Sequence, residues 1–183
     1  MALKITIGVS GEKEINRALA VQTKAIKDLR PAWREIQTIL TAYQKDVFLK
    51  KGKGSSKQWF GVSASSGLSA WKPLKPETVR QKAAAGYKKN ATMPLIRTEK
   101  LMNAWTKKSA PGAIREIHHR WMAFGIDEGD IPYAGYHQKG TGRLPKRRHF
   151  RITNNLRKII TKVIQRYLAK SGQLVRQSAG IFK

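Results

Sequence analysis

The sequence predicts a single α+β domain with a long N-terminal helix or helix pair, a small antiparallel β-sheet and an amphipathic C-terminal helix. Residues 11–49 and 153–170 repeat apolar side chains at spacings of three and four, which is typical of helices that bury one face. Residues 113–126 contain two short apolar segments that predict a β-hairpin. A chain of 183 residues is long enough for one core and short for two. We therefore expect one domain over 1–170 and a C-terminal tail over 171–183.

The first part of the chain predicts a strand followed by a long helix. Residues 3–7 alternate apolar and polar side chains, as a half-buried strand does, and should join the hairpin in one sheet. The helical spacing of residues 11–49 continues across Pro31 without a change of phase. Proline removes a backbone donor and clashes with the preceding turn, so Pro31 should either kink one helix or begin a second helix in line with the first. The apolar face suits packing against another helix, although we expect it to cover the protein's own sheet.

A basic segment follows this helix. Glycine, serine and lysine dominate residues 50–70, which predicts a mobile loop or arm. Trp59 and Phe60 lie within it, and we expect these aromatic side chains to contact another subunit or a partner. The lysines expected to contact DNA or an acidic partner are Lys50, Lys51, Lys53 and Lys57.

Three further helices are predicted. Pro76 lies near the first turn of a helix over 76–85, and Thr98 is placed to cap a helix over 98–107. The last helix should end at Gly172, because glycine commonly terminates helices. Its apolar stripe consists of Leu156, Ile159, Ile160, Val163, Ile164, Tyr167 and Leu168.

The charge balance indicates the kind of partner. The chain has 37 Lys and Arg against 11 Asp and Glu, a formal net charge of +26. This excess is more than solubility requires and implies a polyanionic or acidic partner. Cysteine is absent, which excludes disulfides and thiolate metal ligands. No apolar stretch reaches the length of a membrane span and residues 1–7 are too short for a secretory signal, so we expect a protein made in the cytoplasm that needs no membrane.

Residues capable of catalysis or metal binding are present, but their spacing favours neither. His118 and His119 are neighbours on a predicted strand, so their side chains should point to opposite faces and cannot share one metal ion. Asp127, Glu128 and Asp130 form an acidic turn that we interpret as solvated or ion-paired within or between subunits. No nucleophile with an oriented base and no phosphate-binding glycine loop is recognisable. We expect no enzymatic activity, no cofactor and no metal.

Short motifs follow one another through the middle of the chain, from Trp71 to Pro145. They are Trp71-Lys72-Pro73-Leu74 with Glu77-Thr78, Pro94-Leu95-Ile96-Arg97-Thr98, Tyr133-Ala134, His137-Gln138-Lys139-Gly140 and Pro145. In this order and at these separations they resemble the phage virion-morphogenesis family, which includes tail-completion proteins of Mu-like phages. The resemblance covers roughly residues 71–150.

The resemblance implies a structural role in the virion. Members act in the neck, where they complete the head-proximal end of the tail and join it to the head, and the family suggests a closed ring of six copies. The implied partners are further copies of the chain, tail terminator or tail tube and sheath proteins, and head connector or portal-side proteins. Whether the genome DNA end is also touched stays open. The residues expected at subunit or partner contacts are Tyr133, Tyr136, His137 and Gln138.

The densest basic run follows these motifs. Arginine side chains grip phosphate oxygens through paired donors, so contact with DNA or with an acidic partner is expected here. Phe150 and Ile152 should anchor the run to the core and leave its cations facing outward, and Trp71 and Trp105 should be core residues. The cations concerned are Arg143, Lys146, Arg147, Arg148 and Arg151.

A function of another class is the alternative. A cytoplasmic basic protein that binds nucleic acid without catalytic activity would explain the charge, although it leaves the ordered motifs unexplained. Proteins that bind single strands interleave stacking aromatics with arginine. Such aromatics are sparse in the basic C-terminal segment, where only Phe150, Tyr167 and Phe182 occur.

Overall fold

The computed structural model is an α+β fold, which confirms the predicted class. It describes residues 26–65, 70–142 and 144–178, together with residues 16, 20, 21, 23 and 24. The helices are α1 (Arg30–Leu49), α2 (Pro76–Ala84), α3 (Lys100–Thr106), α4 (Tyr133–Lys139) and α5 (Asn154–Ser178), and the strands are β1 (Gly54–Trp59), β2 (Val62–Ser65), β3 (Ala113–Ile117) and β4 (Met122–Ile126). The strand expected at residues 3–7 lies outside the described residues.

The helical pattern is interrupted at Pro31, as expected. Asp28 and Leu29 are not helical, and α1 begins at Arg30 with Pro31 in its first turn, where the missing amide hydrogen has no helical partner to lose. The expected alternatives at Pro31 were a kink in one helix and the start of a second helix, and the second of these is confirmed. The Asp28 carboxylate accepts hydrogen bonds from the Arg30 backbone amide at 3.1 Å and from the Arg30 guanidinium.

The core lies between α1, α5 and the two hairpins. One face of α1 is buried over its full length, and the first half of α5 covers it. The face of α1 therefore packs against helices as well as strands. Burial of this many aliphatic and aromatic side chains is the main stabilising contribution to the fold. The buried residues of the two helices are Ala32, Ile36, Ile39, Leu40, Tyr43, Gln44, Val47 and Phe48 in α1, and Leu156, Ile159 and Val163 in α5.

Residues 54–65 form a β-hairpin, and the prediction of a loop over this part of the arm is wrong. The strands β1 and β2 pair in antiparallel fashion around a turn in which Phe60 and Gly61 both have positive φ, at 53° and 72°. Lys162 on α5 donates to the Phe60 carbonyl oxygen at 2.9 Å, and Arg166 lies 4.5 Å above the Phe60 ring. Trp59 and Phe60 are therefore partly buried against the protein's own core, and their contact with a partner stays a prediction.

The second hairpin pairs β3 with β4, from Ala113 opposite Ile126 to Ile117 opposite Met122, as predicted. Arg115 on β3 joins this hairpin to the end of α3. Its guanidinium donates to the carbonyl oxygens of Ala104 at 2.7 Å and Gly125 at 2.8 Å. Burial lowers the Arg115 pKa to about 10.

Two predicted helix ends are wrong. Thr98 does not cap α3, because Glu99 precedes the helix in a left-handed conformation (φ 61°) and makes no side-chain capping bond. At the other end of the chain, Thr153 Oγ1 accepts from the Leu156 amide at 3.1 Å and caps α5, which then runs through Gly172 to Ser178. A single glycine costs a helix about 1 kcal/mol, which is too little to end it. Part of the predicted tail is therefore helical.

Candidate functional site

Residues 147–151 cross the fold without regular secondary structure, and we call this segment the strap. Gln138 on α4 holds its centre. The Gln138 side chain donates to the Phe150 carbonyl oxygen at 2.6 Å and accepts from the amides of His149 at 3.0 Å and Phe150 at 3.3 Å. The Arg147 amide donates to the His137 carbonyl oxygen at 2.8 Å. Gln138 therefore binds the strap to α4 and is half-buried, and its contact with another subunit stays a prediction.

Two other parts of the chain also donate hydrogen bonds to the strap. The Trp71 indole donates to the Arg148 carbonyl oxygen at 2.9 Å, and the Gln44 side chain on α1 donates to the His149 carbonyl oxygen at 3.1 Å. Trp71 is buried, as predicted, and its ring lies edge-on to Phe48 with 5.6 Å between centroids. The motifs around Trp71 and Gln138 thus meet at one segment.

His149 is the most buried polar group of the strap, at 3% exposure. Its Nδ1 accepts from the Trp105 indole at 3.2 Å, which requires the proton to be on Nε2, and Nε2 lies 3.1 Å from the Ala134 carbonyl oxygen that can accept it. Burial lowers the His149 pKa to about 4. His149 is not among the residues predicted from the sequence, where its one distinguishing feature is its position beside Phe150 in a basic run.

We expect the Gln138→Leu variant to unfold with a free energy about 2 kcal/mol lower than that of the unchanged protein. Leucine has a similar size but cannot pair the three backbone groups that Gln138 satisfies. Urea denaturation followed by circular dichroism measures the difference. The matched control is Tyr136→Ala on the same helix, since Tyr136 is 57% exposed and its loss should change stability by less than about 0.5 kcal/mol. Equal midpoints for the two variants would contradict the structural role of Gln138.

Next to the strap lies an open groove of about 1120 Å³, which we call the cationic groove. It is bounded by the Trp71 motif, the loop before α3, one face of α4 and the residues before the strap. Its described lining contains six cationic side chains and no carboxylate. The lining residues are Lys72, Pro73, Leu74, Lys75, Thr78, Lys82, Leu95, Ile96, Arg97, Thr98, Lys100, Tyr133, His137, Thr141, Gly142, Leu144, Pro145 and Arg147.

Two of these cations are engaged by backbone carbonyls. Lys82 is buried, and its ammonium donates to the carbonyl oxygens of Asn90, Met93 and Ile96 at 2.6–2.9 Å. Burial lowers the Lys82 pKa. Arg147 is also buried and donates to the Lys72 carbonyl oxygen at 3.2 Å from Nη2. The expectation that Arg147 faces outward is therefore wrong.

Four cations of the groove are exposed: Lys72, Lys75, Arg97 and Lys100. Lys72 and Arg97 belong to the motifs that carry the family resemblance, but none of the four is among the predicted contact residues. Lys75 immediately precedes α2 and Lys100 is the first residue of α3. The motifs themselves were the available signal, because Lys75 and Lys100 each lie within two positions of a motif.

Tyr133 and His137, which were expected at subunit or partner contacts, line the groove. Tyr133 and His137 lie on one face of α4, with their rings edge-on at 6.1 Å. Burial, followed by the nearby Arg147 charge, lowers the His137 pKa. Tyr136 is exposed elsewhere on the helix, which ends at Gly140 with φ 80°. The motif around His137 therefore forms a short helix that glycine closes.

The remaining predicted cations that the structure describes do not line the cationic groove. Lys146, Arg148 and Arg151 are exposed, and Arg143 lies outside the described residues. Phe150 stacks on Trp105 with 4.9 Å between centroids, which confirms it as an anchor, whereas Ile152 is 49% exposed and is not one. The side chains of Lys50, Lys51, Lys53 and Lys57 are exposed near or on the first hairpin.

The two exposed histidines, His118 and His119, each have a different neighbour. His118 and His119 lie in the turn between β3 and β4 rather than on a strand. The His118 ring stacks on Trp121 at 4.0 Å, while His119 Nδ1 lies 3.5 Å from Asp28. Over the described residues, no group of three His, Cys, Asp or Glu side chains could hold a metal ion.

The acidic turn, Asp127 to Asp130, is exposed in front of α4. Asp127 Oδ1 accepts from the Gly129 amide at 2.8 Å and shapes the turn. Among the described residues, none of Asp127, Glu128 and Asp130 forms an ion pair with Lys, Arg or His. Ion pairs within one subunit, which were one expectation for this turn, are therefore not seen among these residues. Ion pairs between subunits stay a prediction.

The sequence matches no protein-family model, no curated protein and no solved structure. In the part of the chain that the structure describes, no helix has both the length and the apolar character needed to cross a membrane.

Proposed function

We propose that this protein is a structural component of a phage particle, without enzymatic activity. In this proposal it completes the head-proximal end of the tail and joins the tail to the head as a subunit of a closed ring. Its partners would be further copies of the chain, tail terminator or tail tube and sheath proteins, and head connector or portal-side proteins. The proposal begins from the resemblance carried by the motifs between Trp71 and Pro145.

The observation that supports the proposal most is the convergence of these motifs in space. Trp71 and Gln138 come from motifs 67 positions apart and hold the same strap. Lys72, Arg97 and His137 come from three motifs and line the same groove. Their polar groups either bond to backbone carbonyls and amides or line the groove surface. Motif residues that bond to the backbone or line a groove support a fold and a docking surface. Covalent catalysis would instead require a nucleophile beside an oriented base.

The proposal is tested in particles of the phage that encodes the chain. Particles made without the protein should contain filled heads and tails that fail to join, and supplying the protein should restore joining. Mass spectrometry of purified virions should detect it as a constituent. Its absence from mature virions, or turnover of a substrate that a His137→Ala change abolishes, would contradict the proposal.

One observation favours a second candidate function, the binding of nucleic acid. The cationic groove exposes Lys72, Lys75, Arg97 and Lys100 beside the Tyr133 ring, a combination that could hold a phosphate backbone. The structural role requires instead that duplex DNA be held weakly, since DNA must pass through a neck.

Salt dependence separates the two candidates. For the structural role we expect binding of the protein to purified tails to weaken as salt rises, while a 30-base-pair duplex at about 150 mM salt binds with a Kd no tighter than the ordinary non-specific range of roughly 10⁻⁴ to 10⁻⁶ M. Fluorescence anisotropy with labelled duplex measures the second quantity. Nanomolar binding that falls steeply with salt would favour the nucleic-acid function instead.

A further inference from the structure

We propose that the acidic turn of one copy docks in the cationic groove of the next copy. The partner that the groove fits is then a second copy of this chain, and repeating the contact closes a ring. This inference rests on the proposed function and identifies the contact through which the subunits would assemble.

The groove offers positive charge that no carboxylate of its own lining neutralises. Lys72, Lys75, Arg97 and Lys100 are exposed around it. Among the described residues, none of these four side chains forms an ion pair. In an isolated molecule of net charge +26 these cations repel one another and the rest of the surface. A negatively charged segment that enters the groove removes part of this repulsion.

The acidic turn carries the complementary charge on a compact backbone. Asp127, Glu128 and Asp130 lie within four consecutive residues and are exposed. The Asp127 carboxylate also fixes the turn through its bond to the Gly129 amide, so little conformational entropy is lost when the turn docks. A contact of three carboxylates with four exposed cations is favourable for steering two copies into register.

The two surfaces lie on opposite faces of α4. Tyr133 and His137 face the groove and are four residues apart, which places them about 40° apart around the helix axis. Gly135 lies about 160° to 200° from both of them. A Cβ atom on Gly135 would be 3.1 Å from Glu128 Oε1, so the acidic turn lies against this opposite face.

Opposite placement decides the symmetry of the assembly. The turn cannot reach the groove of its own copy across the helix, and the patch that docks is different from the patch that receives it. An isologous dimer would have to make the turn-to-groove contact twice across one interface, which two patches on opposite faces of α4 disfavour. A contact made once per pair of copies is heterologous, and such contacts generate rings when the rotation closes.

A folded turn fits the groove better than a phosphate backbone does. Leu74, Leu95 and Leu144 line the groove between the cations. Protein–protein interfaces combine apolar with polar contacts, whereas a phosphate backbone is held mainly by cations and polar donors, so the leucines favour a protein partner. The acidic turn beside α4 would also repel DNA that approached along this helix.

The test compares charge-reversal variants of each surface by native mass spectrometry and sedimentation velocity. The turn variant is Glu128→Lys with Asp130→Lys, which leaves the Asp127 bond to Gly129 intact. The groove variant is Lys75→Glu with Lys100→Glu. Lys75 and Lys100 lie at the N-termini of α2 and α3, where the helix dipole favours negative charge. The groove variant is therefore expected to fold.

Matched controls change the net charge equally at other exposed positions. Glu77→Lys with Glu116→Lys matches the turn variant, and Arg157→Glu with Lys158→Glu on α5 matches the groove variant. All four control positions are exposed and outside the groove lining. A fifth variant combines the turn and groove changes in one chain and restores opposite charges on the two surfaces.

We expect the unchanged protein and both controls to form one closed oligomer. The turn variant and the groove variant should each self-associate at least about tenfold more weakly and be mainly monomeric. The combined variant should associate again. This recovery cannot result from a general loss of folding, since it requires both changed surfaces to be intact.

Three results would overturn the inference. A monomeric unchanged protein excludes the contact, as does a turn variant that forms rings as well as its control does. A groove variant that loses duplex binding while its rings persist assigns the groove to phosphate. If rings close through another surface, the turn-to-groove contact is wrong but the proposed structural role in the phage particle stands. If the protein is absent from virions, the proposed structural role is wrong whatever contact joins the copies.

Discussion

The Trp105→Ala variant is expected to lose about 3–5 kcal/mol of the free energy of unfolding, the largest effect of any single change considered for this protein. Trp105 is 4% exposed, stacks on Phe150 and lies 5.7 Å from the Phe124 ring, centroid to centroid. Its indole also donates to His149. Alanine leaves a cavity at the point where α3, the second hairpin and the strap meet, and small domains are stable by only about 5–15 kcal/mol in total.

Two further variants separate packing from hydrogen bonding. Trp105→Phe keeps most of the ring area but removes the donor to His149, and it should cost less than Trp105→Ala. Trp121→Ala removes the same side chain from an exposed turn, where Trp121 is 50% exposed, and should cost less than about 1 kcal/mol. Urea denaturation curves give all three values. Similar losses for Trp105→Ala and Trp121→Ala would contradict the core position of Trp105.

Acid is expected to destabilise the protein through His149. Burial lowers the His149 pKa from 6.5 to about 4, so the folded protein keeps this imidazole neutral where the unfolded chain binds a proton. Stability contributed by neutral His149 is therefore complete above pH 6.5 and is lost as the pH falls toward 4. The expected loss over this range is about 3 kcal/mol, since one unit of pKa shift corresponds to about 1.4 kcal/mol.

The measurement compares the pH dependence of two proteins. Urea denaturation of the unchanged protein and of His149→Gln is followed between pH 7.5 and 4.5. Glutamine can donate and accept but does not titrate, so the variant should be less stable at neutral pH and have a flatter profile. Subtracting the two profiles removes the contribution of the carboxylates, which titrate in both. Parallel profiles would show that His149 is not the group responsible.

The long elements of the fold could be predicted because their apolar spacing is strict. In α1 and α5 the buried residues recur every three or four positions, and no loop has this pattern. The hairpin at 54–65 could not be predicted in this way. Its sequence is rich in glycine, serine and lysine, and Phe60 is a rare residue at positive φ in a tight turn. Ala64 is 1% exposed, and contacts with α1 and α5 select the strand conformation, which a local pattern does not contain.

Part of the candidate site could be named from the sequence. Trp71, Gln138 and the basic run were singled out there, and the structure brings them together at the strap. Which side chains face inward could not be predicted, since a sequence gives the donors of Gln138 and Arg147 but not the carbonyl oxygens that accept from them. Lys75 and Lys100 were missed because neither belongs to a dense run of charge.

Lys82, Arg115 and Arg147 are bonded inside the fold by main-chain carbonyl oxygens. Carbonyl oxygens are neutral acceptors that every residue supplies, so these interior cations consume none of the 11 carboxylates in the chain. Carboxylates that these cations would otherwise engage, such as those of the acidic turn, are exposed and available for the proposed contact between copies. Random encounters between copies mostly bring like charges together and should dissociate, which suppresses disordered aggregation at high concentration. In such a protein the positions of a few surface acids, more than the many basic residues, would decide which encounters persist.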